Sequence, residues 1–354
     1  MTVFIAPMTL RALHSYYRSF SGLIVNFQIL LCHFFVLLLS VALFGQQGPG
    51  GDSGDGSEED LGHAVKLVDD VLWRLELGEV AEVRTFRYTG LPRNAKSANP
   101  MILYGYSYIP KKLDRSRVGK HPLIVLVHGG VHSNHMTGGP ANTATIVREL
   151  IEQGYVVVAP DYRGSTGYGP AYQKAIDYGG KENDDVLGAR NWMIERYPFL
   201  DPTRVGIVGW SHGGMIALFN VFLHPESYAC AYAGVPVSDL LERGKYLKSM
   251  AKTMEESAGE AAAKDDEEYR RRSPVAHAAK LRRPLLVHGN TIDETVRIVE
   301  VNALVKALQS AGKTFEHKIY EAAPGGHHFN RIDTKLAGDS RAEVYAFLRR
   351  YLQP

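Results

Sequence analysis

The chain has 354 residues, 45% hydrophobic and 22% charged, enough mass for one large core or two smaller ones, and this composition excludes the disordered and collagen-like classes. Forty basic against 38 acidic residues leave a net charge of +2, so nothing in the balance calls for a nucleic-acid partner. Two cysteines, Cys32 and Cys230, both in apolar surroundings, argue against a disulfide framework.

In chain order, the first element is the apolar run 22–44, GLIVNFQILLCHFFVLLLSVALF, which carries no Asp, Glu, Lys or Arg and is long enough to cross a bilayer as a helix of about 20 residues. Arg11 and Arg18 precede it, and Asp52, Asp55, Glu58, Glu59 and Asp60 follow. The basic flank therefore assigns residues 1–21 to the cytoplasm, or to the n-region of a signal peptide, and sends the rest across. Ser40 and Ala42 form a small-x-small pattern that a signal peptidase could cut, so a membrane anchor and an exported, cleaved form are both open. Residues 45–63 are Gly, Ser and acid with almost no apolar content, which reads as a flexible linker. A single catalytic-size domain is expected over 64–354.

Within that domain EVAEVRTFRYT (79–89) and MILYGYSYIP (101–110) alternate as half-buried, antiparallel strands do. The pattern then changes to short apolar runs at 122–130, 155–164, 204–211, 230–239 and 284–290, the mark of strands covered on both faces of a parallel sheet. Helical patterns separate them, including ANTATIVRELIEQG and ENDDVLGARNWMIERY, as crossovers require. TFEHKIYEAA adds an eighth strand and DSRAEVYAFLRRYL a closing amphipathic helix. The expectation is an α/β-hydrolase fold: a mostly parallel eight-stranded sheet with helices on both faces. Residues 240–272, charged and helix-forming, break the alternation and form either a small helical cap over the sheet edge or a solvated surface pair.

The chemistry concentrates at strand ends. Gly209-Trp210-Ser211-His212-Gly213 matches the nucleophile elbow G-x-S-x-G, with RVGIVG before it as a strand and MIALFNVFLH after it as a helix. A serine hydroxyl needs a base, and the base needs an acid to hold its tautomer. Asp293 follows PLLVHGN, and His327 and His328 follow HKIYEAA in a Gly-rich loop, in the chain order Ser, Asp, His that this fold uses. Asp293 taken alone could cap the helix ETVRIVEVNALVKAL, Glu294 competes for the acid role, and chemistry does not separate the two histidines. Oxyanion donors are expected at the His212 N–H and in the loop after LIVLVHGG, where Gly130 and Val131 bring backbone close to substrate. His128, His132 and His135 share that loop, but without cysteine or helical i, i+4 spacing they argue against a metal.

HGGVHS, PDYRGSTGYG, GWSHGG, SPVAHAAKLRRPLLVHG and AGKTFEHKIYEAAPGGHHF together resemble the catalytic domain of the prolyl oligopeptidase family of serine peptidases, over most of residues 79–352. The resemblance implies Ser211 as nucleophile, Asp293 as acid and His327 as base, with His328 at the family's frequent glycine position. It also implies that His128 stands where several members have a tyrosine that donates to the oxyanion, and that the HGNTID loop is one residue longer than usual. No β-propeller fits between the apolar run and HGGV, so the resemblance predicts the mechanism better than the substrate. No cofactor is implied, the oligomeric state is not indicated, and the partner is a peptide or, alternatively, a small acyl ester. A second alternative is a non-catalytic binding domain on a membrane anchor.

Overall fold

The computed structural model describes residues 56–91, 101–138 and 142–354. The chain divides into a unit up to Leu61 and a larger one from Gly62 to Pro354, and the architecture below is that of the larger unit. The apolar run 22–44 lies outside the described residues; among the described residues no helix is long and apolar enough to cross a membrane.

Eight strands form one sheet in the order β1-β2-β4-β3-β5-β6-β7-β8: β1 (Ala81–Thr89), β2 (Ile102–Pro110), β3 (His121–Val127), β4 (Val156–Asp161), β5 (Leu200–Trp210), β6 (Cys230–Gly234), β7 (Leu285–Asn290) and β8 (Glu316–Tyr320). β1 with β2 and β2 with β4 are antiparallel, whereas from β4 onward every pairing is parallel. The alternation of side chains along each strand divides the core in two. Leu123, Val125 and Val127 of β3 join one cluster with α3 (Lys181–Arg196), α4 (His212–Leu223) and α8 (Ile298–Ser310). Ile124 and Leu126 face the other, with α1 (Gly56–Leu77), α2 (Thr143–Glu152) and α9 (Lys335–Leu352). Strands covered on both faces are apolar at every position, which is why the runs at 122–130 and 155–164 carry no polar alternation.

Two expectations change. The linker reading of 45–63 does not hold for its last part, because Gly56 already belongs to α1. The helix was hidden because its apolar residues are diluted by charges that turn out to be structural. Trp73 is fully buried with its ring stacked on His135 at 4.8 Å, and Lys66 is buried against the fully buried Asp161 at 2.9 Å. The 240–272 excursion is helical, as α5 (Leu240–Tyr246), α6 (Met250–Ala258) and α7 (Asp266–Arg271). Leu240, Met250, Met254 and Tyr269 pack with Met215 and Phe219 of α4 and with Val296, so the excursion is docked by its own apolar cluster rather than solvated all round.

Asp161 ends β4 with its carboxylate fully inside the protein. Burial alone would raise its pKa, but Lys66, His128, His135 and the Tyr168 hydroxyl outweigh this and hold it below the usual carboxylate range. Its oxygens accept from the His135 N–H at 2.6 Å and from Tyr168 at 2.6 Å, while the Lys66 ammonium also donates to the His135 carbonyl at 3.1 Å. Helix α1 thereby fastens the loop that follows β3. Replacing Lys66 by Ala leaves a buried carboxylate without its cation and is expected to lower unfolding free energy by about 3 to 5 kcal/mol, measured by urea titration at pH 7. The lowered Asp161 pKa gives the sign for wild type: its contribution is present above the unfolded carboxylate pKa, about 4, and is lost as pH falls through the folded value.

Candidate active site

Ser211 sits between β5 and α4 at φ 60° and ψ −122°, a left-handed conformation that a residue with a Cβ adopts only when its surroundings hold it there. The surroundings are backbone. A Cβ on Gly209 would lie 2.1 Å from the Gly213 carbonyl oxygen, one on Gly213 would lie 2.3 Å from that of Val127, and one on Gly129 would lie 2.9 Å from that of Trp210. The Ser211 N–H donates to the Gly234 carbonyl at 2.9 Å, and the Ser211 carbonyl accepts from Met215 at 3.0 Å and Val237 at 3.2 Å. Gly209 and Gly213 of GWSHGG and Gly129 of the loop after β3 are thus a packing requirement, and the ends of β3, β5 and β6 close around the turn.

Asp293, 4% exposed, lies in the loop after β7. One carboxylate oxygen accepts from the Thr295 and Val296 N–H groups, each at 2.8 Å; the other meets His327 Nδ1 at 2.7 Å. It does not cap α8, which begins at Ile298 behind Arg297, and Glu294 is exposed. Asn290, 1% exposed, donates to the Ala323 and Gly326 carbonyls, both at 2.9 Å, and accepts from Ala323 N–H at 3.0 Å. It ties the Asp293 loop to the His327 loop. The latter is anchored further by fully buried Phe329 and by Asn330, which accepts from Trp210 Nε1 at 3.1 Å and donates to the Tyr232 hydroxyl at 2.7 Å.

The two histidines separate in this environment. With Nδ1 facing Asp293, His327 keeps Nε2 for proton exchange. His328 Nδ1 is buried without a partner; burial, with Arg331 and His327 beside it, brings its pKa down to about 4. Ser211, His327, His328, His128, Gly129 and Gly130 line one cavity of about 330 Å³, together with Trp210, Leu126, Met136, Ile146, Thr295 and Arg331. None of the residues 240–272 is among its walls, so the excursion does not roof this cavity.

The expected oxyanion donors divide likewise. His212 is the first residue of α4, where backbone N–H groups have no intrahelical acceptor. Its ring is buried beneath, stacked on Tyr178 at 4.8 Å, and burial brings its pKa down to about 3. Gly130, at φ 79°, lines the cavity, whereas Val131 turns its side chain to the cluster around Met215. The His128 ring is occupied within the wall: Nε2 meets Ser165 Oγ at 3.0 Å, Nδ1 meets the Gly129 carbonyl at 3.0 Å and the Tyr162 hydroxyl at 3.2 Å, and the ring stacks on Tyr162 at 4.3 Å. Its side chain braces the loop, and the donors left are backbone amides. Among the described residues no three His, Cys, Asp or Glu side chains are grouped to hold a metal ion; His132 Nδ1 faces the Gly164 carbonyl at 3.0 Å, and His135 is stacked on Trp73. Lys66, Asn290 and Arg331 were not legible from sequence as parts of this region, because none lies in a motif that announces burial.

A serine on a strained strand-to-helix corner, above an eight-stranded sheet and sharing a cavity with a carboxylate-held imidazole, defines the α/β-hydrolase class. The chain belongs to the prolyl oligopeptidase family of serine peptidases, whose model matches residues 142–354. It is 28% identical over 269 residues to dipeptidyl aminopeptidase BIII of Pseudoxanthomonas mexicana, covering 72% of this chain and 37% of that protein. It is 29% identical over 260 residues to human dipeptidyl peptidase 8, covering 67% of this chain and 26% of that one. The acylaminoacyl peptidase of Pyrococcus horikoshii superposes with a TM-score of 0.63 at 20% identity, over 77% of this chain and 42% of the other, a likeness of fold. This chain therefore spans well under half the length of these proteins.

Three buried histidines and the half-buried His328, with pKa values brought down to about 3 for His135 and His212 and to about 4 for His288 and His328, all by burial first, set an acid limit. Below the unfolded histidine pKa of about 6.5 the unfolded chain takes up protons that the fold refuses, so unfolding free energy is expected to fall steadily between about pH 6.5 and pH 4. Urea midpoints measured across that range check this; a flat profile contradicts it.

Proposed function

We propose that this chain is a serine peptidase acting through Ser211, His327 and Asp293 by way of an acyl-enzyme. The observation that carries the reading is the 2.7 Å contact of His327 Nδ1 with the buried Asp293 carboxylate, in a loop that shares a cavity with Ser211; family membership and the dipeptidyl peptidase relatives support peptide substrates.

In this reading Ser211 Oγ attacks the acyl carbon while its proton passes to His327 Nε2, and Asp293 stabilises the imidazolium and fixes its tautomer. The carbonyl electron pair moves onto oxygen, where the His212 N–H and a backbone N–H of the Gly129–Gly130 segment stabilise the charge. Collapse of the tetrahedral intermediate breaks the C–N bond, with the His327 proton going to the leaving nitrogen. Water then repeats the sequence on the acyl-enzyme, His327 accepting its proton and returning one to Ser211. Residues 22–44 supply either a membrane anchor or a cleaved export signal, which puts the catalytic domain outside the cytoplasm. Comparing the mass of the membrane-bound and released protein with that of the full chain distinguishes the two, and an intact protein found only in the cytoplasm removes both.

Covalent labelling of wild type by a fluorophosphonate and its loss in Ser211→Ala are expected. On any cleaved amide or ester, His327→Ala is expected to lower kcat by about 10⁶-fold and Asp293→Asn by about 10⁴-fold, with a far smaller loss for His328→Ala. Equal losses at His327 and His328 would reassign the base. Turnover of p-nitrophenyl esters with no cleavage across a peptide panel would replace peptidase by esterase.

A further inference from the structure

Four arginines among the described residues are less than a tenth exposed: Arg243, Arg272, Arg331 and Arg341. Three end on a carboxylate, Arg243 on Glu300 at 3.0 Å, Arg272 on Asp177 at 2.7 Å and Arg341 on Glu149 at 2.9 Å. Arg331, 5% exposed, does not. Its guanidinium donates from Nη2 to the His327 carbonyl at 3.0 Å, Nε is buried without a partner, and the group lies 5.6 Å from the centroid of the Trp210 ring. Burial brings its pKa down to about 10, so the group is still a cation at neutral pH. Asp293, the acid whose field reaches it, is already held by His327 and two backbone N–H groups.

A buried cation with no carboxylate in direct contact is a costly arrangement, and it stands in the wall of the cavity that Ser211 and His327 share. Beside it in the same wall is His328, whose Nδ1 also has no partner. The remaining lining includes the apolar side chains Leu126, Met136 and Ile146. The site thus offers a guanidinium of which, among the described residues, only Nη2 is engaged by a protein acceptor, a ring nitrogen and an apolar wall in a volume of about 330 Å³, at the small end for a ligand site.

Position identifies which part of a substrate would bring the anion. Arg331 and His328 follow His327 on one short turn, and His327 is the group that protonates the leaving nitrogen, so this part of the cavity belongs to the leaving side. A peptide's leaving fragment brings a carboxylate either as an Asp or Glu side chain, whose place varies with sequence, or as the α-carboxylate where the chain ends there, which every short carboxyl-terminal fragment carries at a fixed distance from the scissile bond. We propose that Arg331, with His328 beside it, recognises the free α-carboxylate of the leaving fragment, so that the enzyme removes one or two residues from the carboxyl end of short peptides. This rests on the peptidase reading above and adds to it a requirement for a free carboxyl terminus.

The test uses the full chain carrying Ser211→Ala, which binds without turning over, and calorimetry with leucine, Gly-Leu and their C-terminal amides. At least one free acid is expected to bind roughly 10- to 100-fold more tightly than its amide, the range of a charged hydrogen-bonded contact. Adding Arg331→Gln should bring acid and amide to equal affinity, and Arg331→Lys should restore part of the difference. Equal affinity of acid and amide with Arg331 intact, or binding of none of the four, overturns the proposal; that comparison decides the matter even if the Arg331 variants fail to fold. Fluorophosphonate labelling of wild type separates the two readings. Labelling without acid preference sinks the carboxylate site alone, whereas acid preference without labelling keeps the anion site and overturns its leaving-group role together with the peptidase mechanism.

Discussion

The geometry of the candidate site depends on backbone touching backbone beneath Ser211. The left-handed turn at that residue is unfavourable for any side chain, and it persists because the ends of three strands meet it from below. Gly209 and Gly213 leave no room for a Cβ between them, and the Ser211 N–H is taken by the Gly234 carbonyl at the end of β6. The hydroxyl is presented rigidly because its own backbone has nowhere else to go. The sheet order matters for the same reason: parallel strands β3, β5, β6 and β7 end at one rim, so loops far apart in sequence are brought to one place.

Around this centre, buried charge is used as fastening. Lys66 and Asp161 join helix α1 to the end of β4 and, through His135, to the loop that carries Gly129 and Gly130. Arg163 and Asp185 join the stretch after β4 to α3 at 2.6 Å, and Arg243 and Glu300 join the helical excursion to α8 at 3.0 Å. Such pairs add little net stability over apolar residues of the same size. What they supply is position, since removing either partner strands a charge in the interior. Against that pattern Arg331 stands out, a cation of the same burial that touches no carboxylate among the described residues and feels only the field of Asp293, which is already held by His327.

The asymmetry between His327 and His328 shows how the environment divides two identical side chains. Both lie in the Gly-rich loop after β8, and Asn290 pins that loop to the end of β7. One ring meets a carboxylate and is oriented by it; the other meets buried space and a guanidinium, which keeps it neutral. The same clamp holds the loop after β7, in which Asp293 meets His327.

The fold class was legible from sequence because it rests on local periodicity. The apolar runs at 122–130 and 284–290 carry the double coverage of parallel strands, and GWSHGG carries the steric demand of the elbow in its glycines. The order of Ser211, Asp293 and the two histidines was legible as well, each at a strand end. Sequence alone did not show that α1 replaces the last part of an apparent linker, because Lys66 and Trp73 read as a charged and a solitary aromatic residue until β4 and the His135 loop are placed against them. Residue chemistry alone did not distinguish His327 from His328 or Asp293 from Glu294, which only the family resemblance chose between, and nothing in the sequence set Arg331 apart from any surface arginine. Those choices depend on which neighbouring atoms exclude water and supply a partner, and such neighbours come from segments separated by tens to hundreds of residues, so only the packed tertiary structure decides them.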